Sequence, residues 1–112
     1  MVKQGSIIKI NFDPIIGSEQ GGYRPAVVVS NDFMISKTNI ISICPITTKH
    51  TRKTALNVLL DNSTITQGAV LCAHQRSVDI NKRTYTVVEK MTEEKIMEVL
   101  NTLISMIERP VI

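Results

Sequence analysis

The first 88 residues alternate between short apolar runs rich in Ile and Val and polar segments, a pattern typical of β-strands. In the first run, Ile8, Ile10 and Phe12 alternate with polar residues, and Pro14 ends the run because proline lacks the N–H that a ladder needs. The pattern predicts five or six strands, with further runs at residues 26–29, 39–46, 56–60, 69–73 and 84–88. Turns or connections are predicted at 31–32, 75–79 and 81–83.

The last segment changes to a helical period. Thr92 is a suitable N-cap, and Glu93 and Glu94 follow in the first turn, where negative charge is favourable. Pro110 disfavours helical geometry in the residue before it and is expected to end the helix. One apolar stripe recurs at spacings of three and four residues: Ile96, Val99, Leu100, Leu103, Ile104 and Ile107. Strands followed by one terminal helix predict a mostly antiparallel sheet that curls into a small barrel closed by the helix.

Length and composition indicate one globular domain spanning residues 1–112. Hydrophobic residues make up 43% and charged residues 21%, which argues against disordered, collagen-like and disulfide-scaffold proteins. No apolar run approaches the roughly 18 residues of a membrane span, and the N-terminus lacks the apolar stretch of a signal peptide. We therefore expect a cytoplasmic protein.

The sequence contains few metal-ligating residues and no recognisable cofactor-binding motif. Cys44 and Cys72 each lie in an apolar run without CxxC spacing, and there are only two histidines, so the thiols are expected to be buried and reduced. The sequence contains no Gly-rich phosphate loop with its Lys, no HExxH, no GxSxG and no dinucleotide fingerprint after a strand. We predict a protein without metal or cofactor.

Charge is divided unevenly along the chain. Residues 1–88 carry ten Lys or Arg and five Asp or Glu, whereas residues 89–112 carry three and five, and the net charge is +3. The basic segment, residues 1–88, is suited to binding a polyanion such as a nucleic acid. Each phosphate that a cationic side chain neutralises releases bound counterions, and this release favours binding. The four aromatic residues are too few for a base-stacking platform unless Tyr23 or Phe33 lines a groove.

Three segments, in the expected order along the chain, resemble the MazF/PemK/Kid toxin family. Residues 17–30 read GSEQGGYRPAVVVS after Phe12, Asp13 and Pro14, and are similar to that family's GSEQGG-x-RP signature. Residues 45–48, PITT, resemble its P-x-T-[ST] strand end. Residues 75–79, QRSVD, resemble its x-R-[ST]-[IL]-D segment.

The resemblance implies a homodimeric SH3-like barrel that acts as an mRNA interferase, a sequence-specific, metal-independent endoribonuclease toxin of a type II toxin–antitoxin system. The 2′-hydroxyl of single-stranded RNA would attack its own phosphodiester bond, leaving a 2′,3′-cyclic phosphate or a 3′-phosphate and a 5′-hydroxyl. The implied partner is a cognate antitoxin whose acidic C-terminal segment occupies the RNA groove. The toxin–antitoxin complex is further expected to bind DNA.

The same resemblance implies three catalytic residues. The Arg24 guanidinium would stabilise the phosphorane, and the alternative is a structural ion pair with a carboxylate. Thr47 would donate its hydroxyl to a phosphate oxygen, and Glu19 is the candidate general base. The candidate RNA-binding residues are Gly17, Ser18, Gln20, Thr48, Lys49, His74 and Arg76.

One position departs from the family pattern. Many relatives carry an acid and a glutamine where this chain has Ala73 and His74, so the imidazole of His74 is a second candidate base. Two alternative functions stay open from the sequence. One is a non-enzymatic toxin on the same fold that poisons DNA gyrase, as in the CcdB group, and the other is an RNA-binding module that has lost catalysis.

Overall fold

The computed structural model describes residues 2–13, 22–49 and 52–111, and within them the chain forms seven strands and two α-helices. Their order is β1 (Ser6–Asn11), β2 (Tyr23–Val28), α1 (Asp32–Lys37), β3 (Ile40–Thr47), β4 (Asn57–Leu59), β5 (Ala69–Leu71), β6 (Arg76–Asp79), β7 (Tyr85–Lys90) and α2 (Glu93–Ile107). Two 3₁₀ turns, Cys72–His74 and Ile80–Lys82, precede and follow β6.

The strands form one antiparallel sheet in the order β4-β5-β3-β2-β1-β7, with β6 paired to β3. The longest strand, β3, is paired along both edges. One edge holds β2, and the other holds β6 near the start of β3 and β5 near its end, where Ile46 lies opposite Val70. The end of β3 that carries Thr47 is therefore fixed from both sides.

Two hydrophobic cores, one on each face of the sheet, explain why β2 and β3 are nearly continuous apolar runs. Val27, Cys44 and Ile46 point into a core that α2 covers with Ile96 and Val99. Alternate residues of the same strands point into a second core, formed by Ile8, Ile10, Phe12, Ala26, Val28, Ile41, Ile43 and Val78. A strand buried on both faces needs apolar residues at consecutive positions.

Helix α2 forms where its apolar stripe predicts it, but only the first part of the stripe is buried, because Ile104 and Ile107 are exposed. The Thr92 hydroxyl accepts the Lys95 N–H at 3.3 Å as an N-cap, and Ile96 and Val99 are buried against the sheet. The helix ends at Ile107, ahead of Pro110. The predicted fold class, mostly β with a C-terminal helix, is confirmed.

Three local predictions were wrong. Residues 75–79 were predicted as a connection but contain β6, and its single buried residue, Val78, produces no recognisable alternation. The predicted strand at 69–73 ends at Leu71, because the Cys72–His74 turn interrupts it. The predicted turn at 31–32 opens α1, whose N-cap is Asn31. With only six residues and none buried, α1 is too short to show a helical period.

Both cysteines are free and buried, as predicted. A hydrogen bond with the Cys72 thiol, together with burial, raises the pKa of Cys44 far above its ordinary value. Cys44 therefore stays a neutral thiol and behaves as a small core hydrophobe. Within the described residues, no helix has the length and apolar character required to cross a membrane.

Candidate active site

The register of three strands brings Arg24 and Thr47 to one place. Ala26 of β2 lies opposite Pro45 of β3, and Arg24 and Thr47 each lie two residues beyond that pair, towards the same end. Residues two apart on a strand share a face, as do residues opposite each other on neighbouring strands. Arg24 and Thr47 therefore lie at the same end and on the same face of the β2–β3 pair. Arg24 is exposed, and Ile10 of β1 lies on its other side.

Thr47 is buried and held by hydrogen bonding and strand pairing. It is 4% exposed, lies opposite Ala69 of β5, and its hydroxyl oxygen accepts the Lys49 N–H at 3.2 Å. Because this bond uses only an acceptor position, the hydroxyl proton can still be donated. Thr48 and Lys49 follow it and are exposed.

Gly68 lies directly against the backbone of Thr47. The sequence did not identify it as a residue that shapes the site. Its φ is +119°, and a Cβ atom added there would lie 2.0 Å from the Thr47 carbonyl oxygen. A glycine directly before an apolar strand was the available signal, but a close approach of two backbones is visible only in three dimensions.

Glu89 of β7 fixes the segment that contains Gly68. Its carboxylate accepts the Ile65 N–H at 3.0 Å and both the N–H and the hydroxyl of Thr66 at 2.8 Å. Burial by itself raises the pKa of Glu89, but these three hydrogen bonds outweigh it, and the pKa lies below its ordinary value. Glu89 is therefore a charged anchor for the β4–β5 connection.

Arg76 adds a second guanidinium near this end of the sheet. Arg76 lies on β6, opposite Ile43 of β3. Its Cζ lies 5.5 Å from the centre of the Phe12 ring, which is a cation–π contact. Phe12 is two residues beyond Ile10, the residue that faces Arg24. The positive charge of Arg76 is thus directed towards the Arg24 end of β1.

His74 lies in the 3₁₀ turn that follows β5. It is exposed and borders a cavity of about 190 Å³ lined by Thr54, Leu56, Asn57, Leu71, Ala73 and His74. Leu71 is two residues from Ala69 on β5, and Ala69 faces Thr47. Because β5 runs antiparallel to β3, Leu71 and the cavity lie further from the Thr47 end of β3 than Ala69 does.

Glu19, the candidate base, lies outside the described residues together with Gly17, Ser18 and Gln20. The described residues that flank this segment are well ordered by hydrogen bonds. Gly22 donates its N–H to the Asp13 carboxylate at 3.0 Å, and its carbonyl accepts the Phe12 N–H at 2.8 Å. Arg83, which the sequence suggested only as part of a turn, donates to the Asn11 and Asp13 carbonyls at 2.9 Å.

These groups suit chemistry on a phosphodiester. Two guanidiniums and a buried hydroxyl are donors that match phosphoryl oxygens. Among residues 2–13, 22–49 and 52–111, no group of three His, Cys, Asp or Glu side chains could hold a metal ion.

Comparisons with known proteins identify the family and the fold of the chain. The chain matches the model of the PemK-like, MazF-like toxins of type II toxin-antitoxin systems over residues 3–107. Endoribonuclease PemK of Escherichia coli is 30% identical over 105 residues, which cover 91% of this chain and 79% of that protein. The crystal structure of MazF from Deinococcus radiodurans matches with a TM-score of 0.84 at 30% identity and covers 94% of both chains. A MazE-MazF structure from the same organism matches with a TM-score of 0.78 at 26% identity, covering 94% of this chain and 93% of that one. This chain therefore belongs to the family of PemK-like, MazF-like toxins of type II toxin–antitoxin systems.

Proposed function

We propose that Arg24 and Thr47 bind the scissile phosphate in a sequence-specific endoribonuclease toxin that cleaves single-stranded mRNA in the cytoplasm. Relatives along most of the chain are named endoribonucleases, which favours the nuclease over a gyrase poison or a silent RNA-binding module. The observation on which the site assignment rests is the β2–β3 register, which brings an exposed guanidinium and a buried hydroxyl together.

RNA supplies its own nucleophile, so the protein needs to move protons and stabilise charge. The 2′-oxygen bonds to phosphorus while its proton passes to a base, and the bond from phosphorus to the 5′-oxygen breaks as that oxygen gains a proton. The products are a 2′,3′-cyclic phosphate and a 5′-hydroxyl. Arg24 stabilises the added negative charge through two N–H donors, and Thr47 donates to a phosphoryl oxygen.

Two residues are candidates for the base. Glu19 follows from the family motif, and His74 follows from the departure from the family pattern at residues 73 and 74. An imidazole titrates close to neutral pH, whereas a carboxylate needs an environment that raises its pKa. The pH dependence of cleavage by Glu19→Gln and by His74→Gln distinguishes them, because only loss of the true base removes the acidic limb of the profile.

The remaining candidates bind the RNA strand around the scissile phosphate. Thr48, Lys49 and Arg76 offer hydroxyl and cationic donors on either side of Thr47, and Arg76 is oriented by the Phe12 ring. Gly17, Ser18 and Gln20 are proposed as further contacts on the grounds of the family motif alone.

The partners proposed for this toxin are a second copy of the chain and a cognate antitoxin. The MazE-MazF structure from Deinococcus radiodurans supports an antitoxin partner. An acidic C-terminal segment in the RNA groove would meet the basic segment, residues 1–88. DNA binding by the toxin–antitoxin complex stays a prediction.

Cleavage of a long single-stranded RNA in excess EDTA tests the assignment. We expect fragments with 5′-hydroxyl ends, at least about 100-fold slower cleavage by Arg24→Ala, and slower cleavage by Thr47→Val, because each loses a donor to the phosphorane. Arg109→Ala, which removes an exposed arginine beyond α2, should cut as fast as the parent protein.

The alternatives give different results. RNA binding without fragments would indicate a silent module, and inhibition of gyrase without RNA damage would indicate the other toxin class. Normal cleavage by a folded Arg24→Ala protein would show that the site is elsewhere.

A further inference from the structure

Tyr85 lies in the same cross-strand row as the proposed phosphate site. Ile10 of β1 is opposite Arg24 on one side and opposite Tyr85 of β7 on the other. Residues opposite each other in antiparallel strands share a face, so Tyr85 and Arg24 project to the same face. Ile10 is fully buried between them, whereas Tyr85 exposes 36% of its surface.

The spacing suits a nucleotide next to the scissile phosphate. Neighbouring strands are about 4.8 Å apart, so the backbones at Tyr85 and Arg24 are separated by about 10 Å. Side chains as long as those of Arg and Tyr can span this separation, because both project to the face of Ile10. An RNA strand held at Arg24 and Thr47 and running across the strands towards β7 would therefore bring a base to the Tyr85 ring.

The other three aromatic residues are unsuitable for this contact. Phe12 is buried in the core, and Phe33 lies on α1 beneath the Lys37 ammonium, 5.4 Å from its ring centre. Tyr23 alternates with Arg24 along β2 and so faces the opposite side of the sheet, where its hydroxyl lies 3.3 Å from that of Thr86. Tyr85 is thus the one exposed aromatic side chain on the Arg24 face of β1, β2 and β7.

We propose that Tyr85 stacks on a nucleobase flanking the cleaved bond and strengthens RNA binding without taking part in the chemical step. Every nucleobase has an aromatic face, so one stacked ring contributes affinity with little preference for sequence. This inference rests on the proposed function, because it assumes that the RNA passes over Arg24 and Thr47. Tyr85 is a positioning residue.

The probe is defined in two steps. Cleavage of a long RNA by the unmodified protein first locates the cut sites. A short RNA centred on one of them, with a 2′-deoxy nucleotide at the attacking ribose, then binds without being cut. If the parent protein cuts no RNA, the proposed function itself fails, which is distinct from a failure of the Tyr85 inference.

Three variants then separate stacking from other roles. We expect Tyr85→Ala to weaken binding about tenfold or more and to raise KM for the cleavable RNA equally, with kcat within about twofold of the parent value. Tyr85→Phe keeps the ring and should bind within about twofold. Tyr23→Ala, the matched removal of an exposed tyrosine from the opposite face, should also bind within about twofold, and all three should unfold at temperatures close to the parent's.

Abasic nucleotides locate the stacked base. Removing the base that stacks on Tyr85 should weaken binding to the parent protein but not weaken binding to Tyr85→Ala any further, a coupling that a double-mutant cycle measures. The inference is overturned if Tyr85→Ala binds as tightly as the parent, if Tyr85→Phe loses as much as Tyr85→Ala, or if Tyr23→Ala loses as much as Tyr85→Ala.

Discussion

At Gly68 the backbone before β5 touches the strand end that carries Thr47. A methyl group there would lie 2.0 Å from the Thr47 carbonyl oxygen, and φ is +119°, a value that side chains disfavour. We expect Gly68→Ala to lower the free energy of unfolding by about 2–5 kcal/mol through strain and overpacking. Denaturant titration measures this, and RNA cleavage should fall with the displacement of Thr47.

Gly22 supplies the matched control. It also has a positive φ, +81°, but an added Cβ meets no atom within 4 Å. Gly22→Ala therefore tests the backbone strain alone and should cost about 1–2 kcal/mol. If Gly68→Ala proves no more destabilising than Gly22→Ala, the close approach to Thr47 has no energetic consequence.

At the scale of elements, Glu89 joins β7 to the connection between β4 and β5. Its carboxylate accepts three hydrogen bonds from Ile65 and Thr66, and an amide has only one acceptor oxygen. We expect Glu89→Gln to lower the free energy of unfolding by about 1–3 kcal/mol at neutral pH, the range for hydrogen bonds to charged groups. Glu108→Gln, at an exposed carboxylate beyond α2, should change stability little.

The effect of Glu89 depends on pH in a defined direction. Because its pKa is lower in the folded chain than the unfolded value near 4.3, its contribution is complete above that value and disappears as the pH falls through the folded pKa. The difference between parent and Glu89→Gln should therefore be full at about pH 6 and shrink in acid. A difference that grows as the pH falls below about 4 would contradict the anchor.

For the whole molecule, the distribution of charge predicts how RNA binding responds to salt. Arg24, Lys49 and Arg76 represent about three phosphate contacts on the described residues, which gives a log–log slope of about −2 for single strands. Raising the salt from about 50 to about 200 mM should therefore weaken binding about 20-fold. Fluorescence anisotropy with the 2′-deoxy-substituted RNA measures the slope.

Single charge removals test whether this effect is local. Lys49→Ala should reduce the magnitude of the slope by about 0.7, because one phosphate contact is lost. Lys37→Ala removes the same charge from α1, next to the beginning of β3 and far from Thr47, and should leave the slope unchanged. Equal changes in the two variants would mean that only the net charge matters.

The candidate site was only partly predictable from the sequence. Arg24 and Thr47 lie in short motifs that resemble those of one family, and this resemblance indicated that both contact the scissile phosphate. Their proximity follows from the β2–β3 register, which only the structure shows. The sequence suggested Tyr23 as a possible stacking residue, but alternation along β2 directs it to the face opposite Arg24. Tyr85 had no motif to mark it, because its place depends on a pairing between β1 and β7.

By itself the sequence determined the elements and the chemistry: apolar alternation predicted most of the strands, the stripe after Thr92 predicted α2, and local motifs indicated an RNA-cleaving toxin. Only the tertiary structure decided which side chains meet. The β1–β7 register, the Gly68 contact and the Glu89 hydrogen bonds join residues more than 20 positions apart, and such contacts depend on how the whole sheet pairs and packs. Local sequence preferences do not determine that pairing. A shift of one residue in the register reverses the face of every side chain on a strand, and the choice between registers depends on contacts with distant strands.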